Sequence, residues 1–446
     1  MKRKIYDRLL EWKNSSRRKP LILKGARQVG KSWILKEFGK NEYVHTAYIS
    51  FDNEPLAKSI FIDYDIPRIL RNIEAITKVP IEPQSTLIIL DEIQEVEGGL
   101  TALKYFCENA SEFHVAVAGS LLGITLNQGT SFPVGKVEFL NMFPMDFEEF
   151  LWAVNESKIA DIICSDDYSL LTALHDRLIE LLRQYYFTGG MPEALLTYIE
   201  TGSILKVREI QNAILESYRN DISKHAPLRE VQRIHLVLNS LPSQLARENR
   251  KFIYSAIKKG ARATEFEIAI QWLVDAGIVY KVNRVTAPKP TLKIFEDFNA
   301  FKLYFLDCGL YGALAQADPA AIIVADPGLD GFKGAFSEEY VLQQLLANNL
   351  GPAYYYSTDD SRMEIDFLIN FFGKVIPIEV KAGGNVNGKS IKIFREKFKM
   401  PVAIRFSLLP FKRQEYLINI PLYSAFTLAD TLLSAGEFEK FLSKNG

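Results

Sequence analysis

The chain has 446 residues, 48% of them apolar, enough for about three packed domains. Its 53 Lys and Arg against 54 Asp and Glu leave a net charge of −1, which excludes a global basic field for nucleic acid. The three cysteines, Cys107, Cys164 and Cys308, lack metal or redox spacing, and no apolar run reaches the roughly 18 residues that cross a bilayer. Buried thiols, a reducing cytoplasmic setting and no membrane partner are therefore expected. The basic start, Met1-Lys2-Arg3-Lys4, has no apolar core behind it and does not read as a signal peptide.

The first chemical motif is Gly25-Ala26-Arg27-Gln28-Val29-Gly30-Lys31-Ser32. It follows the apolar run Leu21-Ile22-Leu23 and precedes a helix-forming stretch, the strand–loop–helix setting of a P-loop. The glycines let successive N–H groups curl around a phosphate, and the following helix points its positive end at the same anion. All eight residues are candidate nucleotide contacts. Lys31 is expected at the β- and γ-phosphates, and the Ser32 hydroxyl on Mg²⁺.

Next come strands over 44–51 and 86–91, with a helix over 66–77 between them. The run Thr86-Leu87-Ile88-Ile89-Leu90 is apolar throughout, as a strand covered on both faces should be, and ends in Asp91-Glu92. Asp91 is assigned to Mg²⁺, and Glu92 to the base that orients and deprotonates water. A helix over 100–109 and a strand over 113–118 complete a parallel α/β sheet. In chain order the Asp91 strand falls between the P-loop strand and the 113–118 strand, typical of additional-strand P-loop ATPases. Gly119-Ser120 ends the last strand. Ser120 is a candidate γ-phosphate sensor, or simply a cap.

The polar segment 157–167 reads as a surface loop, and 176–225 as helices of a lid, broken at Gly189-Gly190. Helices around 241–246 and 265–276, closed by Gly277, then a strand over 278–282, suggest a winged helix. Its Arg250, Lys251, Lys258, Lys259 and Arg262 are candidate phosphate contacts, or an ordinary charged surface.

The last block reads helix 336–348, strands 353–357, 363–369 and 375–381, helix 390–398 and strand 402–406. That is the order of a restriction-endonuclease-like core. Asp366, Glu379 and Lys381 fill its D…ExK positions. Glu379 and Lys381 share a strand face, Asp366 and Glu379 could hold Mg²⁺, and Lys381 could activate water. Glu339, or else Glu338, could add a carboxylate. The same residues also fit a buried ion-pair network, or a nuclease fold that no longer cuts.

The P-loop resembles the GaRQvGKT/S loop of a large bacterial and archaeal group of AAA-superfamily ATPases. So do Gly119-Ser120, Tyr186-Phe187-Thr188-Gly189-Gly190-Met191-Pro192-Glu193 and Lys302-Leu303-Tyr304-Phe305-Leu306-Asp307-Cys308-Gly309-Leu310. Glu364-Ile365-Asp366-Phe367 and Ile378-Glu379-Val380-Lys381 match it as well. The resemblance implies an ATP- and Mg²⁺-dependent ATPase followed by a winged helix and a C-terminal nuclease-like domain. It also makes a homo-oligomer conceivable, since many AAA relatives work as rings or dimers. Where that group has Gly-Arg, this chain has Gly135-Lys136, so Arg183 and Arg219 become alternative arginine fingers.

The expected architecture is α/β, with four domains. Residues 1–155 form the P-loop parallel sheet, 156–227 a helical lid, 228–290 a winged helix, and 291–446 the restriction-endonuclease-like domain. The expected function is an ATP-hydrolysing switch acting through the last two domains on DNA. The alternative is an ATP-dependent adaptor whose inert nuclease-like domain binds a protein partner.

Overall fold

The computed structural model describes residues 1–52, 59–120, 122–127, 133, 135–165, 167–247, 249–324, 330–360, 362–383, 389–414 and 416–434. The chain divides into two compact units, Met1–Phe143 with Asp275–Ile278, and Pro144–Val274 with Val279–Gly446.

The first unit is a parallel sheet of β1 (Leu21–Lys24), β2 (His45–Ser50), β3 (Thr86–Asp91), β4 (His114–Ala118) and β5 (Glu138–Asn141). Its spatial order is β2-β3-β4-β1-β5, so β4 lies between the P-loop strand and the strand that ends in Asp91. Every pairing is parallel, with Leu23 opposite Ala118 and Ala118 opposite Asp91. That register brings the ends of β1, β4 and β3 to one edge of the sheet, where open α/β sheets bind ligands. β3 and β4 are buried along their whole length, which explains why they are apolar without alternation. Ile22, Ile88, Leu90 and Val117 share one core with Ile69, Leu103 and Phe106 of the covering helices. At roughly 25 cal/mol per Å² of apolar area, such burial is the main force holding the sheet.

The second unit carries a mixed sheet of β6 (Val279–Val285), β7 (Glu296–Phe305), β8 (Tyr354–Ser357), β9 (Glu364–Phe371), β10 (Lys374–Val380), β11 (Ala403–Ser407), β12 (Lys412–Arg413) and β13 (Leu417–Pro421). The order is β12-β13-β11-β10-β9-β8-β6-β7. β8, β9 and β10 form an antiparallel meander, whereas β10, β11 and β13 run parallel. The helix Asp330–Ala347 precedes β8, and Lys389–Phe398 connects β10 to β11.

The structure corrects several expectations. Residues 157–164 form the helix Ser157–Cys164, not a loop, because Ala160 and Ile163 bury one face. The helix around 241–246 is only the end of Leu228–Leu245, which tolerates Pro242 in its interior. The helices expected as a lid belong to the second unit. There Tyr185 packs edge-on against Phe147 at 5.6 Å and Tyr340 at 5.7 Å. Gly190 N–H donates to Asp307 at 2.6 Å, and a Cβ on Gly189 would sit 2.1 Å from the same carboxylate, so the Gly189-Gly190 break seats Asp307. The expected boundary at 290 falls between β6 and β7, which pair antiparallel. β6 also meets β8 at Arg284 and Tyr355, so the hairpin extends the larger sheet.

Candidate functional site

The first site is built where β1 turns into the helix Lys31–Glu42. Gly25, Gln28 and Gly30 take φ of 155°, 67° and 97°, which curls the loop. A Cβ on Gly25 would lie 2.2 Å from the Met142 carbonyl oxygen, so only glycine fits. Ala26 and Val29 are buried, while Arg27 and Gln28 are exposed. Ser32 follows Lys31 in the first turn, whose N–H groups have no intrahelical acceptor. Lys31 is 6% exposed, and its Nζ donates to the Gly25 and Ala26 carbonyls at 2.9 and 2.7 Å. Burial lowers its pKa to about 8, opposed by the negative charges of Glu92 and Asp91. A buried ammonium whose only hydrogen-bond acceptors among the described residues are two neutral carbonyls fits a phosphate ligand, which would add a direct anionic partner.

Asp91 ends β3 and accepts from Tyr48 Oη at 2.8 Å. Burial, then the bond to Asp91, raises the Tyr48 pKa, which keeps the phenol a donor. Glu92 follows in the left-handed region at φ 53°. Its carboxylate accepts from Ser120 Oγ at 2.7 Å and from Ser120 N–H at 3.1 Å. The structure thus brings Lys31, Asp91, Glu92 and Ser120 to one end of the sheet. The Ser120 hydroxyl is committed to Glu92.

Sequence reasoning missed three residues here. Arg3, 6% exposed, braces the loop by donating to the Val29 carbonyl at 2.9 Å and the Phe143 carbonyl at 2.7 Å. Tyr48 orders Asp91, and its place in the strand paired with β3 was the available signal. Gly277, at φ 71°, lies with its Cβ direction 3.4 Å from Ala26 N, so Asp275–Ile278 packs on the P-loop. Lys136 pairs with Glu108 at 2.9 Å, and Arg219 with Glu216 at 3.5 Å; both pairs are substantially exposed. Arg183 lines a small apolar cleft of the second unit.

The second cluster lines a cavity of about 510 Å³ in the second unit. Asp366 lies on β9, Glu379 on β10 and Lys381 just beyond it, and all three reach the cavity. Asp366 accepts from Val380 N–H at 2.7 Å. Glu379 is held by Arg405 at 2.9 Å and by Lys381 at 3.3 Å, one cation on each oxygen. Glu338, not Glu339, joins them: it contacts Asp366, Arg250 at 2.5 Å and Tyr304 Oη at 2.7 Å. Glu339 is turned to the Phe305 N–H at 3.0 Å, and burial raises its pKa well above the carboxylate range. Arg250 is consequently spent on Glu338 rather than offered to a phosphate. Burial and the adjacent Glu338 charge also raise the Asp366 pKa. Buried Lys302 completes the cluster, 2.5 Å from Glu364 and 3.7 Å from Glu338. A lysine inside the apolar run Phe301–Phe305 was the sequence signal for it.

Mg²⁺ does not fit this second cluster as it stands. Both oxygens of Glu379 and both of Glu338 already have partners, and among the described residues no group of three or more His, Cys, Asp or Glu could hold a metal ion.

Residues 17–151 match an AAA domain family. Residues 179–321 and 333–423 match two domains of unknown function, DUF8612 and DUF4143. No curated protein matches the chain. Among solved structures, the Walker-type ATPase of Pyrococcus abyssi is 15% identical, covering 70% of this chain and 95% of its own at a TM-score of 0.42. The Aeropyrum pernix ORC1 protein, solved in complex with DNA, is 16% identical and covers 71% of this chain and 92% of its own, with a TM-score of 0.26. Cdc6p from Pyrobaculum aerophilum is 12% identical, with coverage of 73% and 95% and a TM-score of 0.25. These likenesses are too loose to carry an argument. The chain thus contains an AAA-type domain with a P-loop on a parallel sheet. Among the described residues no helix is long and apolar enough to cross a membrane.

Proposed function

We propose that the protein is an ATP-hydrolysing switch whose first unit reads the nucleotide and whose second unit delivers the output. The observation that carries the enzymatic part is Lys31, a buried cation beside the P-loop glycines, facing the Asp91 and Glu92 charges. The loop from Gly25 to Ser32 would hold the phosphates, with Ser32 and Asp91 on Mg²⁺ and Glu92 as the base. Bound Mg²⁺ would supply charge neutralisation at the transferred phosphoryl group. Glu92 must first leave Ser120, whose hydroxyl and N–H occupy its carboxylate oxygens and leave none turned to water. The test pairs ATP binding with turnover. Lys31→Ala should lose binding, and Glu92→Gln should bind ATP but hydrolyse it at least about a hundredfold more slowly. Wild-type turnover in Glu92→Gln would remove Glu92 from its role.

The coupling part rests on Asp275–Ile278. This tetrapeptide packs with the first unit, yet follows the helix Ala263–Asp275 and leads into β6 of the second. Helices Leu228–Leu245, Tyr254–Ile257 and Ala263–Asp275 followed by the β6–β7 hairpin support the winged-helix reading. The helix, three strands, helix and strand from Asp330 to Ser407 support the nuclease-like reading.

For the output, the occupied oxygens of Glu379 favour a module that binds without cutting. Exposed Lys251, Lys258, Lys259 and Arg262 favour DNA as its ligand. A salt-titrated DNA-binding assay tests this. Affinity that falls steeply with salt supports DNA, because contacted phosphates release counterions. Absence of binding at low salt points to a protein partner.

A further inference from the structure

The second cluster raises a question of charge. Glu338, Glu364 and Asp366 stand together in a largely buried wall of the cavity, and such a cluster folds only if its charge is neutralised. A divalent cation is one solution. This chain holds another, from outside the β8–β11 core. Lys302 of β7 is fully buried, with Nζ 2.5 Å from Glu364 Oε1, 3.7 Å from Glu338 Oε2, and 5.0 Å from the centre of the Tyr355 ring. Arg250, which also lines the cavity, approaches the other oxygen of Glu338 at 2.5 Å. Tyr304 Oη donates to Glu338 as well, at 2.7 Å.

We propose that Lys302, assisted by Arg250, is an internal cation standing in for a divalent metal at this nuclease-like site, so that the wild-type cavity binds none. The inference rests on the nuclease-like reading of Asp366, Glu379 and Lys381. Two single charges tethered to the fold replace one mobile double charge. A tethered ammonium neutralises carboxylates but offers no open coordination position, and so cannot present a water or polarise a phosphate as a metal does. The cluster then serves to join β7 to β9 and the helix Asp330–Ala347.

The test is a Mn²⁺ titration of the nucleotide-free full chain, read by paramagnetic resonance, in wild type, Asp366→Asn, Lys302→Ala and Lys302→Ala with Asp366→Asn. The expected result is that Asp366→Asn leaves wild-type Mn²⁺ binding unchanged. Lys302→Ala should gain one site, and the double variant should lose it again. A wild-type Mn²⁺ site that Asp366→Asn removes overturns the proposal while supporting a metal-dependent nuclease. A folded Lys302→Ala that gains no site overturns the stand-in role. A gained site that survives Asp366→Asn refutes the reading of the cluster itself. If Lys302→Ala does not fold, Arg250→Ala, at the cavity wall, takes its place with the same outcomes.

Discussion

Ser120 and Glu92 are locked together: the serine hydroxyl lies 2.7 Å from Glu92 Oε1, and its backbone N–H 3.1 Å from both carboxylate oxygens. The proposed base is therefore restrained by the residue expected to sense the γ-phosphate. Removing the hydroxyl loses one hydrogen bond to a charged group, worth about 1.5 kcal/mol. Ser120→Ala should raise basal ATP turnover several-fold at unchanged ATP affinity, measured as kcat and Kd. A fall in kcat would make the hydroxyl a sensor rather than a restraint.

Lys31 gives a pH dependence. Its pKa, lowered by burial to about 8, should rise once phosphate is bound, so binding takes up a proton above pH 8. ATP affinity should be flat below that value and weaken by up to about tenfold per unit above it. Calorimetry in buffers of different ionisation heat reads the proton directly. Equal affinity at pH 7 and 9 would contradict the assignment.

His114 supplies a second one. It is buried in β4 against Tyr43, with Nδ1 2.6 Å from the Tyr43 hydroxyl, and burial lowers its pKa to about 4. The sign follows from an unfolded value of about 6.5: stability is complete above that value and is lost as pH falls toward 4. The loss at pH 5 should be about 2 kcal/mol. His114→Gln should flatten the dependence in denaturant unfolding followed by a probe in the first unit.

Gly277 tests the link to the P-loop. Its φ of 71° costs an L-residue roughly 1 kcal/mol, and a Cβ would stand 3.4 Å from Ala26 N. Gly277→Val should therefore weaken ATP binding at least several-fold without touching any proposed catalytic side chain. Unchanged affinity would separate this segment from the nucleotide site.

Much of this was legible because it is local. The P-loop strand, its glycines and its helix are contiguous, and β3 announces itself as an apolar run ending in Asp91-Glu92. Asp366, Glu379 and Lys381 line one cavity, reached from two adjacent strands and the residue just after them. The misses were non-local. Glu338 and Glu339 are adjacent on one helix, and which of them faces Asp366 depends on how that helix is rotated against the sheet. The β6–β8 pairing joins strands far apart in sequence, so the wing read as a separate module. Lys302 could be seen as an odd cation in an apolar strand, but its partners, Glu338 and Glu364, lie on elements much later in the chain.

The most direct test of the switch is hydrogen exchange across residues 263–285 in the apo, ATP-bound and ADP-bound states, with Glu92→Gln used to hold ATP. The account predicts that protection of the helix Ala263–Asp275 and of β6 differs between ATP and ADP, and that Lys31→Ala abolishes the difference. Robust ATP turnover with identical protection in all three states would contradict it.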